Sequence, residues 1–360
     1  VSPGPARGQR PTIKDIALKA GVSKTTVSFA LNDPGRISEE TCRRVMAVVA
    51  EMGYVPDPVA RTLTTKRLGA LGLLLPQPIA EALQNPYICE IIRGIGEICE
   101  VHEVSLTMLP PIRGRVIEAA RRAFVDGLIT LGVGPDHEVV DLLHRRGIPF
   151  VTIDGQETDL TLNVGVDDEA AAYALMRHVL GLGHRRVAIL SLMPEAVNLP
   201  EWSFSLVRDR RLAGFERALG ESGLGLHSPG VSVVPTGGSH EGGARAATSL
   251  LKDRADPPTA MVAMADAAAL GVYESCHALG VAIPAELSVV GIDDIPESAR
   301  AVPPLTTVRQ PGREKGAYAA GLAFALLDGG KIGHVLLSSE LVVRASSSAP
   351  AAPAPAASGG

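Results

Sequence analysis

The apolar positions change period partway along the chain. From Thr12 to Gly53 they recur at helical spacing: Ile13, Ile16, Ala17 and Ala20, then Val27, Ala30 and Leu31, then Val45, Val48, Val49 and Met52. Each run carries its own punctuation. Thr12 can cap the first, with Asp15 three residues on near the positive end of the helix dipole, and Gly21 ends it. Ser23 caps the second, and Asn32-Asp33-Pro34-Gly35 forms a turn. Ser38 caps the third, with Glu39 and Glu40 in its first turn, and Gly53 stops it. The pattern predicts three short helices and no strand.

From residue 69 the pattern alternates between dense apolar runs and amphipathic stretches. The runs at 69–76, 104–109, 126–132, 149–154, 186–191, 230–235, 259–264 and 287–292 read as strands. Helices are predicted at 87–102, 114–124, 136–146, 168–181, 209–222, 241–253, 267–279 and 312–328. Two such β-α-β series predict two doubly wound, parallel-sheet lobes, with a cleft lined by the carboxyl ends of the strands. The last stretch, from Ala345, is rich in Ala, Ser and Pro and is expected to be disordered.

Length and composition sharpen this picture. A chain of 360 residues suits two or three domains, and 46% apolar residues with only 3% aromatic imply a core of Leu, Val, Ile and Ala. The four cysteines, Cys42, Cys89, Cys99 and Cys276, lie far apart with no CxxC, so neither a disulfide framework nor a zinc site is expected, and a reducing cytoplasm is the expected setting. No run of 18 apolar residues predicts a membrane span, and residues 1–11 lack the apolar stretch of a signal peptide. The net charge of −5 conceals an asymmetry: residues 1–67 carry +5 and the rest −10. A basic head on an acidic body suggests a polyanion partner, although charge alone equally allows a surface fluctuation.

Two short helices joined by the Ala20-Gly21-Val22 turn are a helix-turn-helix candidate. The second would present Lys24, Thr25 and Ser28 to base edges in the major groove. The competing reading is a small helical bundle with no nucleic-acid role. After Pro56, Asp57 can cap and Pro58 suits a first helical position, but the segment that follows is about two turns. It is either a plain linker or a helix that forms only when docked.

At this point the head, TIKDIALKAGVSKTTVSFALNDPGRISEETCRRVMAVVAEMGYVPDPVARTL, resembles the LacI/GalR family of sugar- and nucleobase-responsive repressors. The resemblance continues through VDGLITL at 125–131, LGHRR at 182–186, RLAGFERAL at 211–219, PAELSVVGIDD at 284–294 and PPLTTVRQP at 303–311. It implies a DNA-binding homodimer that reads a pseudo-palindromic operator, with a body similar to periplasmic sugar-binding proteins. Lys24 and Thr25 match the base-reading pair. Ser23, Thr26, Ser28 and Asn32 match polar positions that approach phosphates or brace the motif, and Arg36 matches a further backbone contact. Residues 57–65 match a hinge helix of the minor groove, with Ala60 and Leu63 at its DNA-facing positions and Leu63 as the wedge that kinks the central step. Phe29 stands where an Arg is frequent, and Asp57 where Asn is usual. The implied division is an arm (1–11), a helix-turn-helix domain (12–56), a hinge (57–68), a two-lobed effector domain (69–345) and a tail (346–360). Within the effector domain, lobe 1 takes about 69–165 plus 310–339, and lobe 2 about 166–292 plus 340–345.

Three predicted strands end in carboxylates: Asp154, Asp266 and the Asp293-Asp294 pair. A carboxylate at a strand end can accept hydroxyl hydrogens, as polyol recognition requires. By resemblance, Asp154, Arg211 and Asp293 match effector-contacting positions, whereas Asp266 is expected to cap its helix. Each could instead be a cap or a salt bridge. Trp202, the single tryptophan, is a further candidate from just before Arg211. In the family an Asn often stands where this chain has Ala265, and a sugar-stacking aromatic falls near Gly238, so two familiar sugar contacts are absent. Gly94-Ile95-Gly96 lacks the third glycine of a dinucleotide loop, the histidines show no metal spacing, and no catalytic constellation is visible. The reading is therefore a non-enzymatic, cofactor-free repressor whose operator affinity is set by a small molecule, expected to be a sugar or sugar derivative. The alternatives are a nucleobase, nucleoside or protein co-effector, or a transport-type sugar-binding protein.

Overall fold

The computed structural model describes residues 11–55, 67–193, 205–252, 256–330 and 332–351. The chain divides into two compact units, one ending at Leu68 and the other beginning at Gly69.

The head holds three helices, α1 (Ile13–Ala20), α2 (Lys24–Asn32) and α3 (Glu39–Met52). Their ends form as the sequence directs. The Thr12 N–H donates to Asp15 Oδ2 at 2.8 Å, closing a capping box, and Gly21 takes the left-handed conformation at φ 66°. Ser23 Oγ accepts from the Thr26 N–H at 3.0 Å, and Ser38 Oγ from the Thr41 N–H at 3.3 Å. Ile16, Val27 and Val45, one from each helix, are fully buried against one another.

The body contains two six-stranded sheets. The first has the order β11-β5-β4-β3-β1-β2, from β1 (Ala70–Leu74), β2 (Ser105–Leu109), β3 (Gly127–Leu131), β4 (Phe150–Ile153), β5 (Leu162–Val166) and β11 (Val335–Leu337). The second has the order β12-β10-β9-β8-β6-β7, from β6 (Val187–Ser191), β7 (Val231–Pro235), β8 (Ala260–Ala263), β9 (Ser288–Asp293), β10 (Thr306–Arg309) and β12 (Glu340–Val342). Every pairing is parallel except β10 with β12. Each sheet carries a hydrophobic cluster on both faces, which is why β3, β6 and β9 are buried throughout and mostly apolar.

The chain passes between the sheets three times: after β5, between β10 and helix Gly312–Leu327, and between β11 and β12. That helix packs on helix Pro86–Val101 and on β4, so it belongs to the first lobe, although β10 lies in the second. The second lobe therefore extends past residue 292 to take in β10.

Two regions differ from expectation. Strands β5, β10, β11 and β12 are not among the predicted strands. The stretch from Ala345, expected to be disordered, is ordered as far as Ala351. Ser346 is fully buried; its hydroxyl donates to the Val289 carbonyl at 2.5 Å and accepts from the Thr306 N–H at 2.8 Å. The serines thus act as hydrogen-bond partners for lobe 2 rather than as solvated linker. Residues 352–360 lie outside the described residues.

Candidate nucleic-acid interface and effector cleft

In the head, Lys24 and Thr25 are exposed in the first turn of α2, and Ser28 is half-buried one turn on. Ser23 serves as the cap of that helix, and its hydroxyl also meets the Thr26 hydroxyl at 2.8 Å. Asn32 turns back on its own helix, donating to the Ser28 carbonyl at 3.1 Å, which makes it a brace of the motif. Arg36 is exposed, pairs with Asp33 at 2.8 Å and lies 5.4 Å from the centre of the Phe29 ring. Phe29, at the position where the resemblance implies an arginine, thus gives Arg36 a face to rest on. Ala60 and Leu63 of the expected hinge, and Trp202, lie outside the described residues.

In the body, a cavity of about 790 Å³ opens at the carboxyl ends of the strands of both sheets. One wall comes from Gln77 after β1, Tyr87 and Asp154; the other from Leu192 after β6, Thr236–Ser239 after β7, Met264 and Ala265 after β8, and Asp293 ending β9. Arg211 enters from helix Ser205–Glu221. The structure thus brings together Asp154, Arg211 and Asp293, which the sequence singled out separately. Asp154 has φ 56° and Asp293 φ 139°, conformations that L-residues rarely hold, at the two points where a carboxylate turns from strand end to cavity.

Each of these groups is already engaged. Asp154 accepts from Lys315 Nζ at 2.5 Å and from the Tyr87 hydroxyl at 3.0 Å. Arg211, which lines the cavity, donates through Nε to Asp168 at 2.9 Å and through Nη1 to the Met264 carbonyl. Asp293 accepts from Gln310 Nε2 at 2.7 Å. Burial, then the neighbouring Asp266, pushes the Asp293 carboxyl up to about 8. Burial likewise lifts Asp266 to about 6, against the hydrogen bonds that hold it. Burial and the Asp154 charge raise the Tyr87 phenol well above its usual range, which keeps it a donor.

Asp266 does not cap its helix. The cap position is Ala265, and the Asp266 carboxylate accepts instead from the Ser298 and Thr307 hydroxyls, each at 2.6 Å, and from the Ile295 N–H. It ties helix Asp266–Leu279 to β10. Gly238 lines the cavity at φ 66°, a left-handed conformation that disfavours a side chain, and a Cβ there would push on a Leu192 methyl 2.6 Å away. His184 is structural: its ring meets the Thr259 and Ser288 hydroxyls and the Ser348 carbonyl, and burial lowers its pKa. The sequence reading missed Lys315 and Gln310. A lone lysine in an amphipathic helix looks like any solvated charge.

A helix-turn-helix head on a two-lobed domain with a cleft at its strand ends defines a class: DNA-binding transcriptional regulators built on a periplasmic-binding-protein-like body. Comparison with known proteins places the chain within it. Residues 12–57 match the family of bacterial regulatory proteins, lacI family, and residues 176–347 match the periplasmic binding protein-like domain. An HTH-type transcriptional regulator of Mycobacterium tuberculosis is 33% identical over 343 residues, covering 89% of this chain and 92% of that protein. The lac repressor dimer bound to operator and the anti-inducer ONPF superposes with a TM-score of 0.78 at 26% identity, over 95% of this chain and 100% of that one. A LacI family regulator from Enterococcus faecium with bound ribose gives a TM-score of 0.65 at 27% identity, covering 78% and 99%. The chain belongs to the lacI family and is a DNA-binding transcriptional regulator.

Proposed function

We propose that this regulator is a homodimeric repressor whose affinity for a pseudo-palindromic operator is set by a small molecule, a sugar or sugar derivative, held between the two lobes. The observation that carries this reading is the convergence of Asp154, Arg211 and Asp293 from both lobes on one cavity at the strand ends. Two carboxylates and a guanidinium, on a wall that also carries Gln77, Asn85, Thr236 and Ser239, suit a polyhydroxylated ligand, each polar group fixing one or two hydroxyls. Base reading falls to Lys24 and Thr25, and phosphate contact to Arg36, Thr26, Ser28 and Ser23. Asn32 braces the motif, and Ala60 and Leu63 meet the minor groove. The ribose-bound neighbour supports the ligand class.

The test selects an operator from random duplexes and measures its affinity by fluorescence anisotropy. Thermal shift then screens ribose, other pentoses and hexoses, disaccharides, purine bases and nucleosides, because a ligand that binds only the folded chain raises Tm by mass action. The reading expects a saccharide that both raises Tm and changes operator affinity, with both effects reduced in Asp293→Asn. A base or nucleoside that does so replaces the ligand class. A chain that selects no DNA sequence overturns the repressor.

A further inference from the structure

Lys315 is the one lysine whose side chain is fully enclosed among the described residues, and it lies in the first turn of helix Gly312–Leu327. Both facts run against general preference, since lysine rarely leaves solvent and a cation is unfavourable at a helix N-terminus. Its three N–H groups all find acceptors: Asp154 Oδ1 at 2.5 Å, Gln310 Oε1 at 2.8 Å and the Tyr87 hydroxyl at 2.8 Å. The chain of bonds continues, because Gln310 uses its amide nitrogen on Asp293 Oδ1 at 2.7 Å, and its own N–H donates to the Asp293 carbonyl at 3.2 Å. Asp154 and Tyr87 belong to the first lobe and Asp293 to the second. Gln310 sits on the two-residue crossing between β10 and the helix that carries Lys315.

We propose that Lys315 is a positioning residue of the effector cleft: through Gln310 it fixes the separation of Asp154 and Asp293, and with it the angle between the lobes in the empty protein. This rests on reading the cleft as the effector site. Lys315 does not itself reach the cavity; it acts on what does. With its ammonium in place Asp154 is a paired, oriented acceptor rather than a free carboxylate, and both ends of the bonded chain face the same ligand. A molecule that donates hydrogen bonds to both aspartates therefore pulls on one continuous network. Any rotation of one lobe on the other must lengthen or break a bond at Gln310.

The experiment is a cross-cleft distance in the full chain without ligand or DNA. Spin labels on unnatural residues replace Glu81 and Glu241, exposed on opposite walls, and pulsed dipolar spectroscopy reads the distribution. Wild type should give one narrow distance. Gln310→Ala should broaden or shift it, and should also lower Tm because it leaves the buried ammonium one acceptor short. Lys315→Met alone should lower Tm, because it strands a buried carboxylate. Adding Asp154→Asn to Lys315→Met removes that stranded charge, so Tm should recover while the broad distribution remains. A wild-type width in both Gln310→Ala and the double variant overturns the proposal, as does a broadening that vanishes when Asp154 is neutralised. Because no ligand enters, this outcome is independent of whether any small molecule shifts operator affinity.

Discussion

Asp293 and Asp266 are two buried acids sharing one corner of the cleft, where burial favours the protonated form of each. Their unfolded-state pKa is about 3.9. Their contribution to stability is therefore complete below that value and is lost as pH rises through about 6 and about 8. Asp293→Asn keeps an oxygen for Gln310 but cannot ionise. Its Tm relative to wild type should climb between pH 6 and 8, by about 2–4 °C for each kcal/mol removed. Parallel Tm curves across that range would mean that Asp293 does not titrate there. At the head, Arg36 and Lys24 separate affinity from preference. Arg36→Ala should weaken all sequences alike and lower the slope of log K on log salt by about 0.9 if it neutralises one phosphate. Lys24→Ala should change which half-site is preferred, and an equal loss on every duplex would make Lys24 a backbone contact. Carboxylates at strand ends made Asp154 and Asp293 visible in the sequence, and the family resemblance pointed to Arg211. Lys315 and Gln310 were hidden because their partners are 161 and 17 residues away, and only the folded chain brings them together.

Helix pairs hold each lobe on its sheet, and glycine sets how closely they approach. A Cβ at Gly94 would lie 1.9 Å from the Arg313 carbonyl oxygen, and one at Gly316 would lie 2.1 Å from that of Ile91. Helices Pro86–Val101 and Gly312–Leu327 thus touch backbone to backbone, and the second of them carries Lys315. Gly96, two residues along, meets nothing within 4 Å. Gly94→Ala should cost about 1–3 kcal/mol through overpacking, whereas Gly96→Ala should be neutral or stabilising by about 0.5–1 kcal/mol. Urea unfolding of the two variants checks this, and equal effects would remove the close approach as the reason for Gly94. Of the two glycines that failed as a dinucleotide loop in the sequence, Gly94 is therefore a packing site and Gly96 is not. Helices with a 3.6-residue stripe and strands with a continuous apolar run were legible. β5, β10, β11 and β12 were not: β11 and β12 are only three residues long, and β10 buries Thr306 and Thr307 where apolar residues would be expected. Those threonines are partners of the Ser346–Ser347 segment and of Asp266, a role that periodicity cannot register.

For the molecule as a whole, the charge asymmetry and the ordered set of motifs carried the class of protein, while the ligand depends on a cavity assembled from six strand ends. The proposed allostery makes a quantitative demand there. If a ligand in the cleft changes operator affinity by some factor, the operator must change ligand affinity by the same factor, because both describe one coupling free energy. A coupling of 1–3 kcal/mol, typical of such systems, corresponds to about 5–150-fold. Titrating the ligand into the free protein and into the saturated operator complex gives one ratio. Titrating operator with and without saturating ligand gives the other. The two should agree in magnitude and sign, with an inducer binding the complex more weakly and a co-repressor more tightly. Lys315→Met combined with Asp154→Asn should reduce both ratios together, because it breaks the link between the lobes while leaving the recognition helix untouched. A ligand that binds the cleft with identical affinity in both states would show that the cleft and the helix-turn-helix are not coupled through that ligand.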